Sequence, residues 1–195
     1  MEEKKIKALG MVLFVLAGLS FLIEGNIKDL RDDKIYLVIF QSKGEPRAGV
    51  IFNAETGKAE PINALLLPSV FEKSFFEEVK KYNADRVMVL SSESLKHLSK
   101  KPYIGFGDSQ VLAENAISWM SGYSYVPSPM LKEEKEVWKI NSMLLASWVE
   151  ENGTDMILKR EYGAVLDEYR QGSVIIYPEN TALKILNLFA LEKAF

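Results

Sequence analysis

Hydrophobic positions fall into two regimes along the chain. The first is one unbroken run, Ala8–Ile23 (ALGMVLFVLAGLSFLI), free of charge and preceded by Glu2, Glu3, Lys4, Lys5 and Lys7. Crossing a hydrocarbon core of about 30 Å as a helix takes about 20 residues, and Lys7 extends the short run by snorkelling its ammonium to the interface. The pattern predicts an uncleaved membrane helix. A cleaved signal peptide would need small residues at both −3 and −1 after the run, and Glu24-Gly25-Asn26 contains no such A-x-A pattern. A buried core helix would keep a polar stripe, and this run has none. Lys4, Lys5 and Lys7 before the span nearly balance Lys28, Arg31 and Lys34 after it, so the positive-inside bias is almost neutral. A short tail inside with the domain outside is the commoner arrangement and the one adopted.

The second regime is the alternation of a water-soluble domain. After a polar connector (26–33), Ile35–Phe40 (IYLVIF) is continuously apolar and β-branched, as in a strand buried on both faces. Gln41–Ala48 reads as a loop around Gly44 and Pro46, Val50–Phe52 as a second strand, and Ala59–Ile62 as its hairpin partner across the turn at Gly57. Ser69 with Glu72 forms a capping-box pattern opening a helix whose inward face is Phe71, Phe75, Val79 and Tyr82. Arg86–Leu90 is another buried strand and Ser92–Lys100 a short helix. Asp108 or Ser109 caps a helix running to about Met120.

Ser128-Pro129 opens the longest soluble helix, with the stripe Val137, Ile140, Leu144 and Trp148 and a stop at Asn152-Gly153. Thr154 caps the next, with Ile157, Leu158, Tyr162, Val165 and Tyr169 inward and an end at Gly172. Val174–Tyr177 is a last strand, and Asn180 caps a C-terminal helix burying Leu183, Leu186 and Phe189. Strands alternating with helices predict an α/β layered domain, a central mixed β-sheet flanked by helices. The expected organisation is tail and anchor over 1–25, connector over 26–33, and one α/β domain over 34–195.

Composition narrows the function classes. The 195 residues carry a net charge of −3. Lys and Arg are dispersed without a basic block, which argues against nucleic acid as a partner. Cysteine is absent and His97 is the single histidine, which rules out disulfides, thiolate chemistry and multi-histidine zinc sites. His97 lies among Ser91, Ser92, Ser94 and Ser99, but with Leu95 and Leu98 inward it is expected at the surface, not as a catalytic base. Gly105-Phe106-Gly107-Asp108 lacks the third glycine of a dinucleotide loop, Gln110 standing there, and reads as a turn. Glu133, Glu134 and Glu136 with Lys132, Lys135 and Lys139 read as a solvated helix face. Lys43, Glu45 and Arg47 follow a buried strand, at the end where open α/β sheets gather ligands. Two cations and a carboxylate there suit phosphate and a metal.

The segment order resembles the LytR-CpsA-Psr family of membrane-anchored extracytoplasmic enzymes, which transfer glycopolymers from polyprenyl pyrophosphate onto the cell wall. Ile35–Phe40, then Lys43-Gly44-Glu45-Pro46, then Asn53-Ala54-Glu55-Thr56-Gly57-Lys58 is similar to that family's opening strand, R-S-D-T segment and N-P-K-T-K-type turn. Phe76–Leu98 and Glu114-Asn115-Ala116-Ile117-Ser118-Trp119 resemble later segments. The resemblance puts Lys43 at the family's arginine and Glu45 at its metal-binding aspartate. It implies a polyprenyl phosphate or similar phospho-ligand held by Lys43 and Arg47, with magnesium on Glu45.

Several family arginines are missing. Leu67-Pro68 is followed by Ser69-Val70 where an arginine would contact pyrophosphate, Ser121-Gly122 replaces arginines after Trp119, and Glu136 is acidic at another such position. Losing arginines removes the bidentate clamp on a pyrophosphate. Two functions follow. One is a membrane-anchored, extracytoplasmic phospho-ligand-binding domain, its metal-dependent phosphotransferase chemistry retained or degenerate. The other is a non-catalytic membrane-tethered interaction or assembly subunit with a protein partner.

Overall fold

The computed structural model describes residues 34–122, 137–154 and 171–178, with Val165, 167–169 and, near the N-terminus, Gly10, Met11 and Gly18. Those three are the only described residues of the Ala8–Ile23 run, and all are helical. Among the described residues no helix is long and apolar enough to cross a membrane. The Ser128-Pro129 helix start, the Glu133–Glu136 face, Ile157, Leu158, Tyr162 and the helix after Asn180 lie outside the described residues.

Asp33–Pro178 is one compact unit, an α/β fold built on a five-stranded mixed sheet flanked by helices. Its strands are β1 (Ile35–Ser42), β2 (Glu45–Asn53), β3 (Lys58–Ile62), β4 (Arg86–Leu90) and β7 (Val174–Tyr177), in the order β3-β2-β1-β4-β7. β1 runs parallel to β4, and every other pair is antiparallel. The strand expected to be buried on both faces is the central one. Tyr36, Leu37, Val38, Ile39 and Phe40 are all at most 2% exposed.

Successive side chains of a strand point to opposite faces, so β1 feeds two cores. Leu37 and Ile39 pack with Phe75 and Val79 of helix α1 (Lys73–Val79) and with Val87 and Val89 of β4. On the other face lies Phe52, paired with Tyr36, and the long helix α4 (Val137–Thr154) packs over β2 and β3. Between these come helix α2 (Ser92–Leu98), the ribbon β5 (Tyr103–Phe106) with β6 (Ser109–Leu112), and helix α3 (Ala113–Met120).

Four local expectations change. Ser69 does not cap α1; Glu72 is the N-cap, without a side-chain bond. The Ser69 hydroxyl instead donates to the Gly44 carbonyl at 3.1 Å, so the helix begins later and Phe71 is 78% exposed rather than inward. Residues 109–112 form strand β6 rather than a helical first turn, because Gly105 and Gln110 pair across a tight hairpin. Asn152-Gly153 does not end α4. Gly153 packs closely: a Cβ there would lie 3.0 Å from Val149 Cγ1 and 3.2 Å from two ring carbons of Phe52, which would have to give by a few tenths of an ångström. The buried side of α4 is also wider than its apolar stripe. Leu144 and Trp148 are buried as expected, joined by Asn141, Ser142, Leu145, Val149 and Asn152.

Those polar residues join α4 to the sheet. The Ser142 hydroxyl accepts from Gly49 N–H at 3.1 Å and donates to the Ile62 carbonyl at 2.7 Å, satisfying two backbone groups where β3 ends. Glu150 accepts from Ala59 N–H of β3 at 3.0 Å, and Glu151 from Gly105 N–H of β5 at 3.0 Å. At the amino end of β1, Asp85 accepts from the N–H groups of Lys34 and Ile35 at 2.9 and 2.8 Å, fixing β1 beside β4.

Removing one partner from buried backbone groups costs their desolvation. Ser142→Ala should therefore lower the free energy of urea unfolding by about 1–3 kcal/mol; an unchanged midpoint would show that Gly49 and Ile62 do not depend on this hydroxyl. Val89→Asp places an unpaired carboxylate among Leu37, Phe75 and Val79, and should abolish cooperative unfolding altogether.

Candidate functional site

The Gln41–Ala48 segment is not a loop. β1 continues to Ser42 and β2 starts at Glu45, leaving a two-residue turn of Lys43 (φ +54) and Gly44 (φ +85). Paired positive φ values are what a tight hairpin needs to follow the twist of its strands, and glycine takes the second at no steric cost. The Gln41 carboxamide accepts from Gly44 N–H at 2.8 Å. On the other side, Val70 N–H and the Ser69 hydroxyl both donate to the Gly44 carbonyl, at 2.8 and 3.1 Å. The Phe71 ring lies so close over Gly44 that a Cβ would collide with it.

Pro46 hid this strand from a reading of the pattern. Proline removes a ladder donor and is tolerated at bulges, and a bulge is what the register contains. Phe40 pairs with Ala48 while Gln41 pairs with Pro46, so Arg47 stands unpaired on the bulged strand. Bulges re-aim side chains and concentrate near functional sites.

The three sequence-derived candidates thus sit on one hairpin: Lys43 exposed at the turn, Glu45 exposed at the start of β2, Arg47 half-buried at the bulge. Arg47 adds two features that the pattern did not disclose. Its carbonyl accepts from the Asn141 amide nitrogen at 3.1 Å. Its buried Nε has no hydrogen-bond partner, and neither has the buried Oδ1 of Asn141. Orphaned buried groups are rare in folded proteins; among the described residues Trp119 Nε1 and Glu151 Oε2 share that state. Asn141 escaped the sequence reading because it falls within a helix whose apolar stripe dominated the pattern.

A serine cluster borders the hairpin at the carboxyl ends of the parallel pair, where Phe40 stands opposite Leu90. The Ser42 hydroxyl donates to the Ser121 carbonyl at 3.5 Å, and Ser92 and Ser121 hydroxyls are 2.8 Å apart. Since Ser121 donates its own proton to the Ile117 carbonyl at 2.7 Å, Ser92 is the donor of that pair. Ser91 and Ser94 close a capping box on α2. The hydroxyls of Ser94, Ser99 and Ser121 all donate to backbone carbonyls.

His97 is 63% exposed, as expected, and its Nε2 lies 3.6 Å from Oε1 of the buried Glu168. The other Glu168 oxygen accepts from the Ser173 hydroxyl. In that trio the serine bonds the carboxylate rather than the imidazole, which is not the order of a nucleophile–base relay. Gly105 and Phe106 belong to strand β5 and only Gly107 enters the hairpin turn, which leads into strand β6 rather than into the expected helix cap.

A metal at Glu45 would rest on one exposed carboxylate. Among the described residues, no group of three or more His, Cys, Asp or Glu side chains could hold an ion. Magnesium suits such a place only when phosphate oxygens and waters supply the remaining ligands. Two cavities, of about 580 and 440 Å³, lie elsewhere: one beside Lys96 and Lys100, the other beside Val79 and Tyr177. Next to the hairpin the surface is instead apolar. Leu65, Leu66 and Phe71 are 48%, 78% and 78% exposed on the segment that clamps Gly44.

No protein-family model matches the chain, and no curated protein matches it. Among solved structures it is similar to a protein described as a "putative transcription regulator" from Eubacterium siraeum DSM 15702, with a TM-score of 0.43 and 14% identity, over 82% of this chain and 76% of that one.

Gly44→Val combines a strained positive φ with displacement of the Phe71 ring. It should cost about 2–3 kcal/mol of stability and raise proteolytic cleavage at the hairpin; wild-type stability would show that the turn can be rebuilt without glycine.

Proposed function

We propose that this chain is a membrane-anchored, extracytoplasmic domain that binds a lipid-linked phosphate at the β1–β2 hairpin. In this reading Arg47 and Lys43 take the phosphate, Glu45 holds a magnesium ion bridging to it, and Phe71, Leu65 and Leu66 meet the first units of a polyprenyl chain. The observation that carries it is Arg47: a guanidinium set on a β-bulge, its buried Nε without a partner and its carbonyl fixed by Asn141, whose own Oδ1 is open. A guanidinium presents several donors in a rigid fork that matches phosphate oxygens. The LytR-CpsA-Psr resemblance supports the same ligand class and, with its arginines reduced, supports retention of binding over retention of transfer.

A second reading is a membrane-tethered interaction subunit without a small-molecule site. Its support is the exposed trio Leu65, Leu66 and Phe71. Exposed apolar groups gathered on one segment are a feature of docking surfaces.

Titration with a short-chain polyprenyl phosphate, with and without magnesium, separates the readings. Arg47→Ala and Lys43→Ala should weaken binding in both conditions, Arg47→Ala by about tenfold or more, as expected for a charge-assisted bond. Glu45→Ala should weaken only the magnesium-dependent part. No saturable binding at millimolar ligand would leave the interaction subunit as the function.

A further inference from the structure

The segment from Asn63 to Phe71 joins the end of β3, where Ile62 pairs with Gly49, to the hairpin turn, where Val70 N–H reaches the Gly44 carbonyl. Its apolar residues divide into two sets. Ala64, Leu67 and Val70 are buried in the core with Leu37 and Ile39. Leu65, Leu66 and Phe71 are exposed.

The two sets cannot trade places. A short 3₁₀ turn over Ala64–Leu66 is opened by the Asn63 carboxamide, which accepts from Leu65 N–H at 3.2 Å. Leu67 N–H closes it on the Ala64 carbonyl at 3.0 Å. Further on, Val70 N–H and the Ser69 hydroxyl hold the Gly44 carbonyl. The exposed side chains are thus fixed outward, and a segment already fixed loses little freedom when something covers it. Of the exposed charges on the hairpin and beside Phe71, Lys43 and Lys73 are matched by Glu45 and Glu72, leaving the half-buried Arg47 in excess. Apolar area, more than net charge, must supply the attraction.

We propose that this hairpin end of the sheet docks on a lipid bilayer, with Leu65, Leu66 and Phe71 entering the headgroup region. Three protruding side chains are few for a protein interface, which takes roughly 20–30 residues a side. A bilayer accepts protruding Leu and Phe without a complementary shape. Chain length permits the contact. The apolar run ends at Ile23 and β1 begins at Ile35, and the residues between them span at most about 40 Å when extended. β1, rising about 3.3 Å per residue, carries the hairpin about 26 Å from its own start. The tether is therefore long enough for the hairpin to lie on the bilayer that holds the apolar run. The inference rests on the membrane-anchored reading above and not on the phosphate site.

The test uses the full-length chain in phosphatidylcholine vesicles. Its lack of cysteine allows single nitroxide labels at Leu66→Cys, Phe71→Cys and, on the exposed β5–β6 turn, Asp108→Cys. That ribbon bonds Glu151 near the end of α4, whereas β2 and β3 bond Ser142 near its start. Relaxation by oxygen against a water-soluble nickel chelate gives the depth of each label. Labels at 66 and 71 should lie about 5–10 Å into the headgroup and acyl boundary, and the label at 108 in water. Should Phe71→Cys unfold, Leu65→Cys replaces it. Raising the ionic strength to about 1 M, where the Debye length is about 3 Å, should leave these depths unchanged. Arg47→Ala combined with Leu66→Cys should do so too, which separates this inference from the phosphate site. Labels at 66 and 71 in water, a label at 108 equally deep, or loss of depth at high salt would overturn the proposal. Spin–spin broadening between copies labelled at 66, with the label out of the lipid, would also overturn it and assign the patch to a second copy. Release of the unlabelled chain by carbonate would overturn the anchored reading along with it. Retention through carbonate with labels at 66 and 71 in water would overturn the docking alone.

Discussion

Everything in this domain follows from burying β1 on both faces. Five consecutive residues at no more than 2% exposure leave the strand's backbone groups no access to water, and unpaired buried N–H and C=O groups cost as much as lost hydrogen bonds. Both edges must therefore be filled. β2 supplies one antiparallel ladder and β4 the other, in parallel. The first can be reached by a two-residue turn. The second needs a crossover, and β3 and α1 lie within that crossover. The location of the hairpin and of the carboxyl ends of β1 and β4 is thus a consequence of one apolar strand.

What the sheet leaves unsatisfied, α4 completes. Its carboxylates, amides and the Ser142 hydroxyl serve backbone groups of β2, β3, β5 and the residues after α2. This explains why a helix with so mixed a sequence is buried so widely. An amphipathic stripe suffices against a smooth sheet face. A helix crossing strand ends must also bring hydrogen-bond partners, and Ser142 does so for two groups at once.

The layered fold and its main strands were legible because strong apolar runs allow few alternatives. Arg86–Leu90 and Val174–Tyr177 emerge with their expected bounds. Misread places are local signals overridden by pairing or packing that the pattern does not show. Ser69 has the right spacing for a cap, yet Gly44 offers its hydroxyl a buried carbonyl. Gly153 has the form of a stop, yet Phe52 needs the space. Gly44 and Pro46 have the form of a loop, although a positive-φ pair and a bulge accommodate both inside a hairpin. Of the candidate site, Lys43, Glu45 and Arg47 were legible as a charged group after a buried strand. Asn141 was not, since its partner is a backbone carbonyl 94 residues away in sequence.

The bulge decides what this hairpin offers a ligand. In an unbroken ladder a one-residue change of register would move every following side chain to the opposite face. Here the extra residue absorbs the change, so Ala48, Val50 and Phe52 stay in the core while Arg47 alone escapes the pairing. An arginine within a regular, two-sided core would carry an uncompensated charge, at a cost of several kcal/mol. Half-buried at a bulge, it keeps its charge, has its backbone held by Asn141, and retains a donor that no protein group uses. The same local geometry that protects the core's register thus leaves a half-buried arginine beside the carboxyl end of β1.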